Sequence, residues 1–236
     1  MLSIQISSWQ PHGQALKAYW KGNQSATIDI HMDDESITQM PIEIYFRTPS
    51  EFPEIERIAL ELCKGKTLDV GAGAGAHSLA LQESEIKVTG LDISPDGVEI
   101  MKLRGVKETV CQDFLTYFPT TVFDTLLFLM NGIGIAGNLQ QLDLYLQHAQ
   151  QLTSANGQII LDSSDLTHTD LELDFSQEYY GVFNYRLSFE GQMGAAYQWL
   201  YIDQETLTNR AKNNNWLCKV IYEQEDGSFL ARLTKA

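Results

Sequence analysis

The sequence predicts an α/β protein with a seven-stranded, mostly parallel, doubly wound sheet that finishes in a C-terminal antiparallel hairpin. Three observations carry this expectation. From residue 66 onwards, short apolar runs alternate with helical patterns. A glycine-rich stretch, GAGAGA (71–76), joins the first of those runs to the first of those helices. The last two apolar runs are separated only by EDG (225–227), a link that permits a hairpin and forbids a parallel crossover.

Taken in order, residues 1–60 form an N-terminal extension packed on the core. It holds a helical start, a strand-like stretch ATIDIHMD and the segment PIEIYFRT (41–48). The main domain spans 61–236. KTLDV (66–70) reads as a buried strand, Ala76 to about Glu83 as a helix, and KVTGLDI (87–93) as a second strand. SPDGVEIMKLRG (94–105) carries Ser94 at the N-cap, Pro95 at the first helical position and Gly105 past the end. A short third strand lies around Thr109–Gln112. FDTLLFLM (123–130) is apolar enough to be central. Leu139, Leu142, Leu146 and Ala149 share one helical face, and GQIILD (157–162) is a fifth strand. Asp203 caps a helix over 203–215, and WLCKVIYEQ and GSFLARLTK form the closing hairpin. Residues 166–202 interrupt this frame. They are rich in aromatics (Phe175, Tyr179, Tyr180, Phe183, Tyr185, Phe189, Tyr197, Trp199, Tyr201), and their alternation predicts an added antiparallel ribbon.

Composition narrows the partners. The 236 residues carry 16 Lys and Arg against 31 Asp and Glu, a formal net charge of −15. Nucleic-acid binding demands clustered cations, and no basic run exists, so nucleic acid and anionic membrane surfaces are poor partners. No apolar run approaches the length of a membrane span, and MLSIQISSWQ is not a secretion signal. The three cysteines, Cys63, Cys111 and Cys218, are widely spaced, which predicts reduced thiols and a cytoplasmic protein. His31, His77, His148 and His168 lack ligand spacing, so no metal site is expected. The run Asp33, Asp34, Glu35 reads as a solvated face.

Glycine at the density of LDVGAGAG gives up much chain entropy, so something must need bare backbone there. A strand, then glycines, then a helix start is a ligand-binding device: backbone N–H groups and the helix dipole point at whatever enters. GAGAGA formally satisfies a dinucleotide fingerprint, which keeps NAD in view. Asp92, 17 residues after Gly75, suits the hydroxyls of any ribose. Asp69, two residues before Gly71, discriminates: its carboxylate opposes a pyrophosphate and favours a ligand ending in an ammonium group.

LDVGAGAG resembles the first motif of class I S-adenosylmethionine (SAM)-dependent methyltransferases, and LDIS (91–94) their ribose-binding acidic motif. QDF (112–114) resembles the segment that contacts adenine, FDTLLFLMNG (123–132) their fourth motif, and the terminal hairpin their last two strands. The resemblance covers about 60–165 and 203–236. It implies a Rossmann-like fold, SAM as cofactor and S-adenosylhomocysteine (SAH) as product. The implied cofactor-binding residues are Asp69, Gly71, Ala72, Gly73, Gly75, Asp92, Ile93, Asp113, Phe114 and Asn131. MNGIG (130–134) stands where nitrogen-methylating enzymes of bases and glutamines carry Asn/Asp-Pro-Pro-Tyr, which argues against those substrates.

The acceptor side is read less sharply. Asn131 either reaches the methyl group or simply makes a turn with Gly132. Asp162 either faces the ligand or is solvated with its neighbours Ser163, Ser164 and Asp165. His77 acts as a base, contacts the donor's carboxylate, or is an exposed helix-start residue. Arg47, beside Tyr45, either holds a carboxylate or sits on the surface. Tyr185 and Trp199 belong to a ribbon that either closes over the acceptor as a lid or packs on the domain. No catalytic base is identifiable, because methyl transfer from an activated sulfonium needs mainly position and desolvation. The expected function is methyl transfer to a small, neutral or cationic acceptor. The rivals are an NAD-dependent oxidoreductase and a non-catalytic SAM- or SAH-binding protein. The oligomeric state is not readable.

Overall fold

The computed structural model describes residues 6–33, 35–169, 171, 173 and 176–236. Asp34 and Phe175 lie outside the described residues, as do residues 1–5.

In chain order, α1 (Gln10–Trp20), β1 (Thr27–Met32) and β2 (Ile37–Pro41) precede α2 (Glu54–Leu62) and β3 (Lys66–Val70). Then come α3 (Ala76–Glu83), β4 (Lys87–Asp92), α4 (Pro95–Arg104), β5 (Glu108–Cys111), β6 (Phe123–Phe128), α5 (Leu139–Leu152) and β7 (Thr153–Ser164). The chain closes with β8 (Val182–Phe189), β9 (Gln192–Met193), β10 (Tyr197–Leu200), α6 (Gln204–Asn213), β11 (Trp216–Glu223) and β12 (Ser228–Lys235). The 60/61 division expected between extension and domain falls inside α2.

The main sheet has seven strands in the order β11-β12-β7-β6-β3-β4-β5. All its neighbours pair in parallel except β12, which is antiparallel to both β7 and β11. β6 is central, and its composition explains why. Leu126 and Phe128 face one buried cluster with Leu142, Leu146 and Ala149 of α5. Leu127 and Leu129 face another with Ile55 and Ala59 of α2. A strand covered on both faces has no polar alternation to show. Trp216 at the start of β11 is buried and donates its indole N–H to Leu146 O at 3.0 Å.

Local signals set the helix that flanks the cleft. Ser94 accepts the Gly97 N–H at 3.2 Å, Pro95 opens α4, and Gly105 ends it at φ +100°. Such a cap is worth about 1 kcal/mol.

The extension and the insertion are two parts of one second sheet, ordered β10-β8-β1-β2 with β9 paired to β8. Asp29 of β1 pairs with Ser188 of β8, so segments remote in sequence share a ladder. α1 packs between this sheet and α4: Ala15 and Leu16 share a cluster with Ile28, Leu187, Phe189 and Ile100. The second sheet therefore stands over the C-terminal ends of β3 and β4.

Candidate active site

The strand order reverses at β3: β4 and β5 follow on one side, β6 on the other. Ligands in open α/β sheets bind outside the carboxyl ends of strands at such a point. A cavity of about 440 Å³ opens there. Its floor comprises Asp69 within β3 and Gly71 and Ala72 just after it, Asp92 at the end of β4 and Ile93 just after it, Asp113 and Phe114, and Asn131 after β6. Its roof comprises Tyr45, Tyr185, Tyr197, Trp199 and Tyr201, with Trp9 and His12 from the start of α1. Gly73, Gly75, Arg47 and Asp162 do not line it.

The glycine loop works differently from the sequence expectation. Its N–H groups do not point at the ligand space. Gly71 and Ala72 both donate to Leu91 O, at 2.9 and 3.0 Å, and Gly75 donates to Ala72 O at 2.7 Å. Gly73 donates to Asp92 Oδ2 at 2.8 Å. Four N–H groups that would hold a pyrophosphate are thus spent inside the protein. What the glycines supply is space and a left-handed backbone. Gly71 has φ +73° and nothing within 4 Å of where a Cβ would stand, so its bare face opens into the cavity. Gly75, at φ +81°, lets α4 approach: a Cβ would lie 2.8 Å from Val106 and 2.9 Å from Met101.

Three carboxylates line the floor. Asp69 is buried and accepts the Ser78 hydroxyl at 2.6 Å. Burial pushes its carboxyl up, opposed by His77 and that hydroxyl. Asp92 accepts N–H groups from Gly73 and, at 2.7 Å, from Ser94. Burial raises it to about 6, against the pull of those two N–H groups. Asp113 caps a short 3-10 turn, Phe114–Thr116, accepting the Leu115 N–H at 2.9 Å. Phe114 stacks on Tyr145 at 5.1 Å and meets Phe128 edge-on, which holds its ring rigid at the cavity wall.

Asn131 is both turn and wall. Met130 and Asn131 are consecutive non-glycine residues at positive φ, +59° and +52°, a conformation that costs free energy. Asn131 offsets it with a full set of bonds. Its N–H donates to Asp162 Oδ1 at 2.9 Å and its Nδ2 to Leu200 O at 3.1 Å, while its Oδ1 accepts from Ser163 at 2.9 Å. It thereby ties β6 to β7 and to the roof strand β10. Asp162 serves this latch from within β7, which runs on to Ser164. Burial raises its carboxyl to about 7, partly countered by the Asn131 N–H.

His77 is not an exposed helix-start residue. It is buried, lines the cavity, and its Nε2 lies 2.8 Å from Glu56 Oε2. Arg47 binds the other oxygen of Glu56 at 2.7 Å and donates through Nε to Ile44 O. The carboxylate that Arg47 holds is therefore the protein's own. Tyr45 lies over the loop, its ring 3.4 Å from the Cβ position of Gly73. Burial raises the hydroxyl pKa values of Tyr45, Tyr185 and Tyr197, keeping these groups neutral.

Glu56 and His12 were not singled out in the sequence. Glu56 reads as one of several acids on an amphipathic helix. His12 is a lone histidine in a helical start, and no spacing marks it. Among the described residues, no group of three or more His, Cys, Asp or Glu is placed to hold a metal ion, and no helix is long and apolar enough to cross a membrane.

This fold and site define a class I SAM-dependent methyltransferase. Residues 63–216 match the methyltransferase-domain family, and the chain belongs to it. Its structure is similar to that of a SAM-dependent methyltransferase from Bacteroides fragilis in complex with SAH, with TM-score 0.90 and 37% sequence identity over 99% of this chain and 98% of that one. More distant likeness, in fold alone, extends to the amino pentose methyltransferase CalS10 from Micromonospora echinaspora: TM-score 0.56, 16% identity, 77% of this chain and 88% of that one. The sugar N-methyltransferase KedS8 from Streptoalloteichus is also similar, with TM-score 0.59 and 14% identity over 81% of this chain and 92% of that one. Among curated proteins no match is found. The cofactor is SAM, and the open face of Gly71 between buried carboxylates fits it. The oxidoreductase reading falls with this assignment.

Proposed function

We propose that this enzyme methylates a small, neutral or cationic molecule held beneath the second sheet, with the donor lying on the floor of the cavity. In that reading Asp69 faces the donor's ammonium group, Asp92 accepts from its ribose, and Asp113, Ile93 and Phe114 bound its adenine. Gly71, Ala72 and Asn131 border the path between donor and acceptor, while Gly73 and Gly75 shape the loop. The donor supplies an activated methyl on a sulfonium; the protein positions the acceptor and excludes water. Tyr45, Tyr185 and Trp199 form the acceptor wall, and residues 1–60 and 166–202 act together as its lid. A cytoplasmic setting belongs to the same proposal, on the strength of the odd, widely spaced cysteines.

One observation carries the acceptor class. The described residues lining the cavity include three carboxylates and no Lys or Arg, so an anionic acceptor finds no counter-charge there. Calorimetric titration with SAH, SAM and NADH is the first test, with micromolar SAH binding and no NADH binding expected. A panel of neutral, cationic and anionic acceptors with labelled SAM then tests the class. Turnover confined to anionic acceptors, or to a macromolecule, would refute it. Binding without turnover on any acceptor would favour a binding protein.

A further inference from the structure

His77 has one ring nitrogen engaged and one free. Nε2 meets Glu56 Oε2 at 2.8 Å. Nδ1 makes no hydrogen bond within the protein, and among the described residues it is not one of the unpartnered atoms shut off from water. Nδ1 is therefore reachable, although the side chain as a whole is only 9% exposed. The packing shows from which side. Phe52, itself buried, lies tilted against the ring with centroids 5.1 Å apart, and Glu56 closes the Nε2 edge. The remaining side of His77 borders the cavity.

The surroundings say which part of a ligand meets it. Ser78, the next residue, donates to Asp69 Oδ2 at 2.6 Å, which fastens the first turn of α3 beside that carboxylate. The His77 charge opposes the upward push that burial gives the Asp69 carboxyl. α3 begins at Ala76, and among the described residues neither the Ala76 nor the His77 N–H has a partner. A helix N-terminus in this state favours an anion. The N–H groups of Gly71, Ala72, Gly73 and Gly75 are spent inside the protein, and no Lys or Arg lines the cavity. SAM carries a carboxylate on the same carbon as its ammonium group. With Asp69 at the ammonium, that carboxylate needs donors close by, and the start of α3 is where this chain keeps them.

We propose that His77 Nδ1, together with the first N–H groups of α3, binds the carboxylate of the methyl donor, and that Glu56 and Arg47 position the imidazole for it. This rests on the reading given above, in which Asp69 faces the donor's ammonium group. The chemistry of the pair matches. Burial pushes the Glu56 carboxyl up, but His77 and Arg47 outweigh it, so Glu56 is ionised near neutral pH. An ionised carboxylate only accepts, so Nε2 carries a proton. The charged imidazolium then donates from Nδ1 as well. Arg47 holds the other oxygen of Glu56 at 2.7 Å, which fixes the carboxylate that orients the ring. An imidazolium engaged by the donor also leaves no counter-charge for an anionic acceptor.

The test is titration of SAH and decarboxylated SAH, which keeps the ammonium and lacks only the carboxylate, into the wild type, His77→Leu and, as a control, Asp69→Asn. The wild type should bind decarboxylated SAH about tenfold more weakly than SAH. His77→Leu should weaken SAH by about the same factor, yet bind decarboxylated SAH as tightly as the wild type does, because removal of either partner deletes the same bond. Wild-type SAH affinity in His77→Leu overturns the proposal. So does an equal loss for both ligands, which is what a merely structural role gives. If the variant does not fold, the ¹⁵N resonance of His77 Nδ1 in the wild type decides. It should move with SAH and not with decarboxylated SAH, and an identical response to both overturns the contact. Failure of the wild type to bind SAH, or undiminished binding of both ligands by Asp69→Asn, would instead sink the broader donor assignment.

Discussion

His77 of α3 and Glu56 of α2 meet through a 2.8 Å contact between Nε2 and Oε2, with both side chains buried. Arg47 takes the remaining oxygen, so one carboxylate joins the extension, α2 and the helix that starts at the glycine loop. Glu56→Ala leaves two buried or half-buried polar groups without their partner. It should destabilise the fold by about 3 kcal/mol, read as a lower urea midpoint at unchanged slope. Burial alone would raise the Glu56 carboxyl, but His77 and Arg47 hold it below the usual range. A depressed carboxyl contributes stability above its unfolded pKa and loses it as pH falls through the folded value. Glu56→Gln should therefore flatten the acid side of the stability profile. An acid limb identical to that of the wild type would contradict this.

Asp92 has the opposite sign. Its folded pKa of about 6 lies above the ordinary carboxylate range. It therefore disfavours the fold once ionised, with the cost growing as pH rises towards that value and complete above it. In the proposed reading the ribose hydroxyls donate to the ionised form of Asp92, so donor binding should draw a proton off it. SAH affinity should fall as pH drops below about 6. Near that pH, calorimetry in buffers of different ionisation enthalpy should register proton release. Asp92→Asn should bind more weakly and lose the linkage. The charge of Asp69 also raises Asp92 to a lesser degree than burial does, and a release that survives Asp92→Asn would reassign the titration to Asp69.

The main sheet was readable because its signals are local. Ser94, Pro95 and Gly105 announce α4 within twelve residues, and Leu126 to Leu129 show by their lack of alternation that β6 is covered on both sides. The roof was not readable in the same way. β1 meets β8 across a long stretch of sequence, through the Asp29–Ser188 pair, and no local pattern reports a partner so remote. The same reason hides the Arg47–Glu56–His77 cluster and the position of His12. The glycines were readable as a need for bare backbone. The direction of their N–H groups was not, since Leu91 O and Asp92 settle it from the neighbouring strand.

Two glycines of that loop should fail for different reasons. At Gly71 a methyl group meets nothing in the protein, so Gly71→Ala carries only the left-handed backbone strain, about 1–2 kcal/mol. Its methyl group projects into the cavity, and SAH affinity should suffer beyond that. At Gly75 the same strain is joined by overlap with Val106 and Met101, so Gly75→Ala should destabilise by about 3 kcal/mol. Thermal melts with and without SAH separate the two. Gly71→Ala should keep most of its melting temperature and lose most of the ligand-induced rise. Equal melting temperatures for both variants would contradict the assignment.

Gly134 explains a stretch that the sequence left as an unexplained substitute for a proline motif. It lies in the 3-10 turn Gly132–Ala136, against roof strand β10. A Cβ there would run into Trp199 Nε1, stand 2.5 Å from Cε2 of the same indole, and lie 2.9 Å from Leu200 O. Leu200 O is the oxygen that accepts from Asn131, so crowding at Gly134 strains the latch between floor and roof as well as moving the indole. Gly134→Ala should change Trp199 fluorescence, with the other three tryptophans controlled by Trp199→Phe in the same background. It should impair methyl transfer chiefly through acceptor KM, because Asp69, Asp92 and Asp113 are untouched. A loss confined to SAH affinity, with acceptor KM unchanged, would place Trp199 on the donor side of the cavity.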